Sequence, residues 1–388
     1  MTTVRFFHNG TAGVGGMTGA PSLSGTPGSM IAVLDACLVD GWGTGTVDSV
    51  VISGGIATVT RATGHPFDVD CVAEIAGCTG ATATLNAPQK VLSVTGTTWT
   101  FATALANQAA TGTITHKVAS LGWAKAFSGT TLAAYRPADV AATRMFLRVD
   151  DTAAQSARVV GYTSMSGIGA GLTGPFPTDA QVSGGGYWSK SQSADATARD
   201  WVLVGDSRGF VIWARHAPNS GNYIVGFGDY QSTKPADAFA CFLNCGNFPF
   251  QSTGAGQTLS RTGANVGIFT ARGVSGIGQS VNLVATALSP TAGGDNMLSG
   301  GGGMAFPNPA ANELYVSQIL LSEQAPLICY RGVVPGVRFC PMSVGGGVFG
   351  FRERLTGVTG MSGRTLRAVP ANEQGGPFFI DVTGPWAR

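Results

Sequence analysis

The residues able to do chemistry in this chain are few and far apart. Its four histidines, His8, His65, His116 and His216, stand alone in sequence, with no H-E-x-x-H pair to hold a metal on one helix face. Cys241, Cys245, Cys329 and Cys340 would supply four thiolates, but the tight C-x2-C pairing of a zinc site is missing at both ends. With Cys37, Cys71 and Cys78 they make an odd count of seven, which fits a reducing compartment where thiols stay free and buried. Asp150-Asp151 would be a carboxylate pair, yet neighbours on a strand point to opposite faces, and short carboxylates at a strand exit bond to turn N–H groups. Gly169 to Gly174 fits the dinucleotide fingerprint G-x-G-x-x-G in letters only, because it leads into Pro175-Phe176-Pro177 instead of a helix. No phosphate-gripping G-x-x-x-x-G-K-[ST] occurs, and no G-x-S-x-G places a serine between a strand and a helix. The sequence therefore names no catalytic, cofactor-binding or metal-ligating residue, calls for no cofactor, and reads as non-enzymatic.

The aromatic residues offer the one candidate contact set. Tyr187-Trp188 follows three glycines, and Trp213, Tyr223 and Tyr230 come after it. Together they could stack on a host glycan or on a partner. Aromatic rings are more often found filling the core of a β-sandwich, so packing is the favoured reading and a contact surface the other.

The elements that must position these groups are strands. Residues 121 to 213 alternate short aromatic or β-branched runs with Gly, Asp, Ser or Pro punctuation, the signature of strands joined by turns. Tyr223 to Asp229, Phe239 to Leu243, Val266 to Thr270, Val281 to Ala285, Leu314 to Leu321, Cys329 to Val337 and Phe378 to Val382 extend the series. One helix is expected at Met30 to Leu38, with Ser29 as its N-cap, an apolar face of Met30, Ile31, Leu34, Cys37 and Leu38, and Gly41 just past its end. Residues 46–117 hold six further short strand candidates and read as a separate small β module, since Gly122-Trp123 resumes the pattern left at Gly41-Trp42. Residues 246–303 are rich in Gly, Ser, Thr and Asn and are expected to form long surface loops around two strands.

Composition excludes several classes. Only 11% of the 388 residues are charged, the net charge is +2, and 58 are glycine, which suits many tight turns and gives nucleic acid no basic footprint. The regularly spaced aromatics argue against disorder despite the glycine content. No apolar run reaches eighteen residues and the start lacks a secretory h-region, so neither membrane insertion nor export by a signal is expected.

Several segments carry a family resemblance. LGWAKAFSGT, AAYR, RMFLRVDDT, ARVVGYTSMS, GPFPT and DWVLVGDSRGFVIW, in that order from Leu121 to Trp213, resemble a family of virion structural proteins from tailed bacteriophages. The opening Val4-Arg5-Phe6-Phe7 and the closing Ile380-Asp381-Val382-Thr383-Gly384-Pro385-Trp386 resemble the ends of those proteins. The stretch from Gly64-His65-Pro66-Phe67 to Phe101 resembles a small β module inserted into many phage tail proteins, with Pro66 where that family often has a second glycine. The resemblance implies a protein of the tail tip or baseplate, partnered by other tail proteins, forming a homo-oligomer (a trimer) and supporting host attachment. A carbohydrate-binding or depolymerase-associated module, or a capsid-surface protein, are the alternatives.

The expected fold class is mainly β. It comprises an antiparallel, jelly-roll-like sandwich with one short N-terminal helix and an inserted small β-barrel or sandwich. The expected divisions are residues 1–45 (arm and helix), 46–117 (insert), 118–325 (main sandwich) and 326–388 (C-terminal β segment).

Overall fold

Three segments, Trp201–Gly205, Gly209–Arg215 and Asn222–Asp229, carry almost no side chain that reaches water. Such continuous apolar runs form strands covered on both faces, and the computed structural model shows this arrangement. It describes residues 3–10, 15–217, 222–249, 259, 266–287, 304–325, 327–344, 348–370 and 377–388. The three strands pair antiparallel as a central ribbon, with Arg5–His8 on its outer edge beside Trp201–Gly205.

Alternate residues of the ribbon divide between two cores, as the period of two requires. Leu203, Phe210, Ile212, Val225 and Phe227 face a first core with Trp123, Tyr135, Leu147, Val149 and Val159. Those partners come from Trp123–Ser128, Leu132–Pro137, Phe146–Asp150 and Ser156–Tyr162, an antiparallel meander that continues to Gly186–Ser189. Val202, Val204, Val211 and Ile224 face a second core with Leu283, Ile319, Leu321, Val334 and Ile380. The ribbon runs on through Cys241–Gly246, Val266–Thr270, Val281–Ala287, Ser317–Glu323 and Cys329–Phe339. Phe378–Asp381, Thr365–Val369 and Arg354–Thr356 complete it. The result is mainly β and antiparallel, as expected of a sandwich-rich fold, with the ribbon between two apolar cores.

The expected loop region contains the strands Val266–Thr270 and Val281–Ala287. The remainder of that expectation, at 250–258, 260–265 and 288–303, lies outside the described residues, as do 218–221 of the polar stretch after Ala217.

The helix begins at Ser29, but its cap differs from expectation. Ser29 Oγ donates to the Ser24 carbonyl at 2.7 Å, while Gly28 holds the N-cap position with φ +82°. The free N–H groups of Met30 and Ile31 donate instead to Asp151 Oδ2 at 2.8 and 3.1 Å. Asp150, its neighbour, turns outward and accepts from the Thr152 N–H, so the two carboxylates do lie on opposite sides. After Leu34 the helix widens into π-helical turns over Asp35–Asp40. It stops at Gly41 (φ +70°), where an added Cβ would sit 2.0 Å from the Val118 carbonyl oxygen. Asp151 also meets the Lys190 ammonium, and both side chains are fully buried. Lys190 Nζ donates further to the Thr26 carbonyl at 2.7 Å. Burial pushes the Asp151 carboxyl up and the Lys190 ammonium down. Among the described residues no helix is long and apolar enough to cross a membrane.

The inserted module has two sheets. One contains Ser93–Val94, Thr98–Ala102, Ile56–Thr60, Ser49–Ser53 and Gln108–Ala109; the other contains Trp42–Thr46, Thr115–Val118, Val72–Ala76 and Pro88–Lys90. Its incoming strand Trp42–Thr46 pairs with its outgoing strand Thr115–Val118, so the chain leaves and rejoins the body at one place. His116, only 2% exposed, packs between Phe67 and Trp99 at ring distances of 5.0 and 6.4 Å. Ion pairs hold the module to the body. Asp70 Oδ2 accepts from Arg354 Nε at 3.0 Å and Arg367 Nη2 at 2.7 Å, and Asp68 Oδ2 meets His8 Nε2 at 2.9 Å. Lys90 Nζ bridges the carbonyls of Asp70 and Val382 at 2.5 and 2.6 Å.

Two outcomes follow from these buried groups. Asp151→Ala strands Lys190 in the core and should lower the unfolding free energy by about 3–5 kcal/mol. Lys190→Met in that background should recover part of the loss, both read by urea unfolding. The second outcome concerns pH. Burial, aided by Arg61 and His65, holds the His116 pKa down at about 4 against 6.5 for a free histidine. Between those values the unfolded chain binds a proton that the folded module refuses, so stability falls as pH falls through the window. Denaturant midpoints measured from about pH 7 to about pH 5 should therefore drop less for His116→Phe than for the native chain.

Candidate functional site

The five aromatic candidates do not form a surface. Trp188, Trp213, Tyr223 and Tyr230 are all buried. Trp188 and Tyr223 belong to the first core, Trp213 and Tyr230 to the second, so the ribbon separates them. Their polar tips are turned inward. The Trp188 indole N–H donates to the Asn244 carbonyl at 2.8 Å, and that of Trp213 to Pro370 O at 2.8 Å beside the Phe351 ring. Burial pushes the Tyr223 and Tyr230 phenols well up. Tyr187 alone is half-buried, and the Arg158 guanidinium covers its ring at 3.8 Å. The physical reason is that both faces of the ribbon are covered, so rings on either side of it pack into a core. A sugar platform needs open ring faces, and these are spent on packing.

The remaining sequence candidates also separate. Cys241 and Cys245 share one strand, whereas Cys329 and Cys340 bracket the ends of another. Eleven extended steps put roughly 35 Å between the latter two, too far for one ion. Burial pushes the Cys71 and Cys340 thiols up to about 12 and about 11. No group of three or more His, Cys, Asp or Glu suited to a metal occurs among the described residues. Gly169 to Gly174 lies in a hairpin-like excursion bridged at Ser164–Thr173 and Gly167–Ala170.

What the fold does build is a cleft of about 420 Å³ at one end of the ribbon, open to solvent. Three loops and Arg388 make it. The 141–143 turn supplies Thr143, the Asp206–Gly209 turn supplies Arg208, and the loop after Asp229 supplies Tyr230, Ser232, Lys234 and Asp237. Asp229 anchors its floor and is 1% exposed. Its carboxylate accepts from Arg208 Nε and Nη2 at 3.0 and 2.9 Å and from Thr143 Oγ1 at 2.6 Å. Burial nonetheless pushes the Asp229 carboxyl up. Arg388 closes one side, donating to the Asp229 carbonyl at 3.0 Å and pairing with Asp206. Asp237 Oδ2 is held by Ser232 Oγ at 2.8 Å and Arg331 Nη2 at 3.3 Å, and Arg331 also meets Glu323 Oε2 at 2.7 Å.

The acidic side chains here are thus turned to structural partners, with Arg208 and Lys234 at the mouth. Lys234 donates to the Val274 carbonyl at 2.8 Å and makes no ion pair among the described residues. Such a cleft can grip an anion or a carboxylate side chain through charge-assisted hydrogen bonds. Sequence reasoning missed it, because Lys234-Pro235-Ala236-Asp237-Ala238 looks like an ordinary polar turn. The available signal was two charges set around a Pro-Ala turn directly after a buried strand. No protein-family model matches the chain, and no curated protein matches it either.

Trp213→Ala should lower the unfolding free energy by about 3–5 kcal/mol, the cost of emptying a core site. Thermal or urea unfolding checks this; a change of a few tenths would instead mark an exposed ring.

Proposed function

We propose that the chain is a non-enzymatic structural component of a tailed-phage virion, of the tail-tip or baseplate type, supporting host attachment. The observation that carries this reading is the series of resembling segments from Leu121 to Trp213. Most of them fall on strands of the meander and the central ribbon, which share one core. The polar chemistry is compatible with it. Asp237 in the cleft and Asp229 beneath it are each bound by an arginine, an arrangement suited to docking. Glycoside hydrolysis needs a carboxyl pair left available on either side of a sugar bond. The exposed apolar side chains at the cleft end, Val140, Ile277 and Ile328, are what an assembling part would cover with a neighbour. In this reading the partners are other tail proteins and further copies of the chain, with a trimer as the symmetric form.

The described part of the N-terminal segment is bound to its own chain. Arg5–His8 pairs within the sheet, and Asn9 exchanges hydrogen bonds with Arg199 O and Trp201 N at 2.7 Å each.

Immunogold electron microscopy on purified particles, with antibody to this chain, tests the proposal. Label at the distal tail is the expected result. Label on the head would move the chain to the capsid surface, and particles free of label and of the chain by mass spectrometry would end the virion reading.

A further inference from the structure

Large apolar side chains left in water gather at one place. Val140, Ile277, Leu327, Ile328 and Tyr330 are half of those exposed among the described residues, and Ile277 and Ile328 are 79% and 81% exposed. None of the five lines the cleft, but each lies on a segment that adjoins its walls. Val140 adjoins Ala141 of its wall. The Lys234 bond to Val274 O brings the turn carrying Ile277 against Lys234. Thr233 Oγ1 donates to the Tyr330 carbonyl at 3.0 Å, placing Tyr330, and Leu327 and Ile328 just before it, on the same flank. The pairings Thr270–Val281 and Leu283–Glu323 set the Ile277 turn beside the hairpin tip that bears Leu327.

Of the cations that line the cleft, Lys234 makes no ion pair among the described residues, while Arg208 and Arg388 meet Asp229 and Asp206, and Asp139 lies near both arginines. Asp237 and Asp229 point into networks with Arg331, Ser232, Arg208 and Thr143. Lys234 is exposed and bonded only to the Val274 carbonyl, and the Arg208 side chain, though bound to Asp229, remains 25% exposed. A polar anchor point ringed by apolar contacts that exclude water is the anatomy of a binding hot spot, and its charge selects the complementary partner.

We infer that this end of the fold docks an acidic, apolar-flanked segment of a partner protein. One Asp or Glu side chain of the partner enters the cleft between Arg208 and Lys234. Its apolar neighbours lie on Ile277, Leu327, Ile328 and Tyr330. A cleft of about 420 Å³ holds such a side chain with part of its backbone. The inference stands apart from the virion reading, since it concerns the isolated chain and would hold in any assembly.

The test uses the full chain and two capped fluorescent peptides, Ac-Ala-Leu-Asp-Leu-Ala and the same peptide with Asn for Asp, followed by fluorescence polarisation. The Asp peptide should bind about tenfold more tightly, a difference of about 1.4 kcal/mol, and lose that advantage at about 1 M salt. Lys234→Glu should abolish the preference, and Ile328→Ser should weaken both peptides; both residues are exposed, so circular dichroism and the thermal midpoint should stay unchanged. Equal affinity for the two peptides, no binding of either at millimolar concentration, or a preference that survives Lys234→Glu would overturn the inference. So would sedimentation showing a dimer of this chain that Ile328→Ser dissolves, because a second copy would then own the surface.

Discussion

Burial of the central ribbon on both faces is the constraint on which the rest of this structure depends. A strand covered on one side tolerates polar side chains at every second position; Trp201–Gly205 and Gly209–Arg215 tolerate them nowhere except their ends. Two separate covering layers must therefore be present before the ribbon is stable, one from residues before it in sequence and one from residues after it. The hydrophobic effect rewards each layer only once the ribbon is in place. Long-range pairing of this kind ties the chain's two halves into a single cooperative unit.

The same constraint explains where the charges sit. A chain with 11% charged residues places many of them at the ribbon's ends, where backbone turns meet the core. Asp206, Asp229 and Glu323 are buried there, as Asp151 is at the end of a meander strand, and each has a cationic partner in Arg388, Arg208, Arg331 or Lys190 respectively. Removing such charges from water is costly unless the partner is fixed in place. The pairs therefore act as position markers: the helix cap, the cleft and the hairpin of Glu323 hold their geometry because a misplaced turn would leave a bare charge in the core.

Much of the strand pattern was legible in the sequence, since Phe146–Asp150, Trp201–Gly205 and Val281–Ala287 carry their own apolar or alternating runs. The helix was legible too, from its apolar spacing and from Gly41. Its cap was not, because Asp151 lies 121 positions from Met30, and no local signal links them. The aromatic set, for which packing is the favoured reading, keeps a second reading open for a related reason. Residue type says that Trp213 wants contact with something flat and apolar, and only the second layer decides whether that is a ligand or Phe351. The cleft was illegible because its parts come from four separate stretches, each unremarkable alone. Long-range assembly, not residue chemistry, is the missing information in all three cases.

The module between Trp42 and Val118 leaves and rejoins the body on neighbouring paired strands, which is the geometry of a cassette that could be spliced in or out. Its ion pairs say otherwise. Arg352 and Arg367 are 5% and 8% exposed, and His8 is fully enclosed. Their carboxylate partners Asp68 and Asp70 belong to the module. Excising the cassette would take the Asp68 and Asp70 carboxylates away from the enclosed Arg352 and Arg367 guanidiniums, which lie together against His8 and Phe6 of the Arg5–His8 strand. The insertion has become a keystone: removable on topological grounds, and locked in by electrostatics.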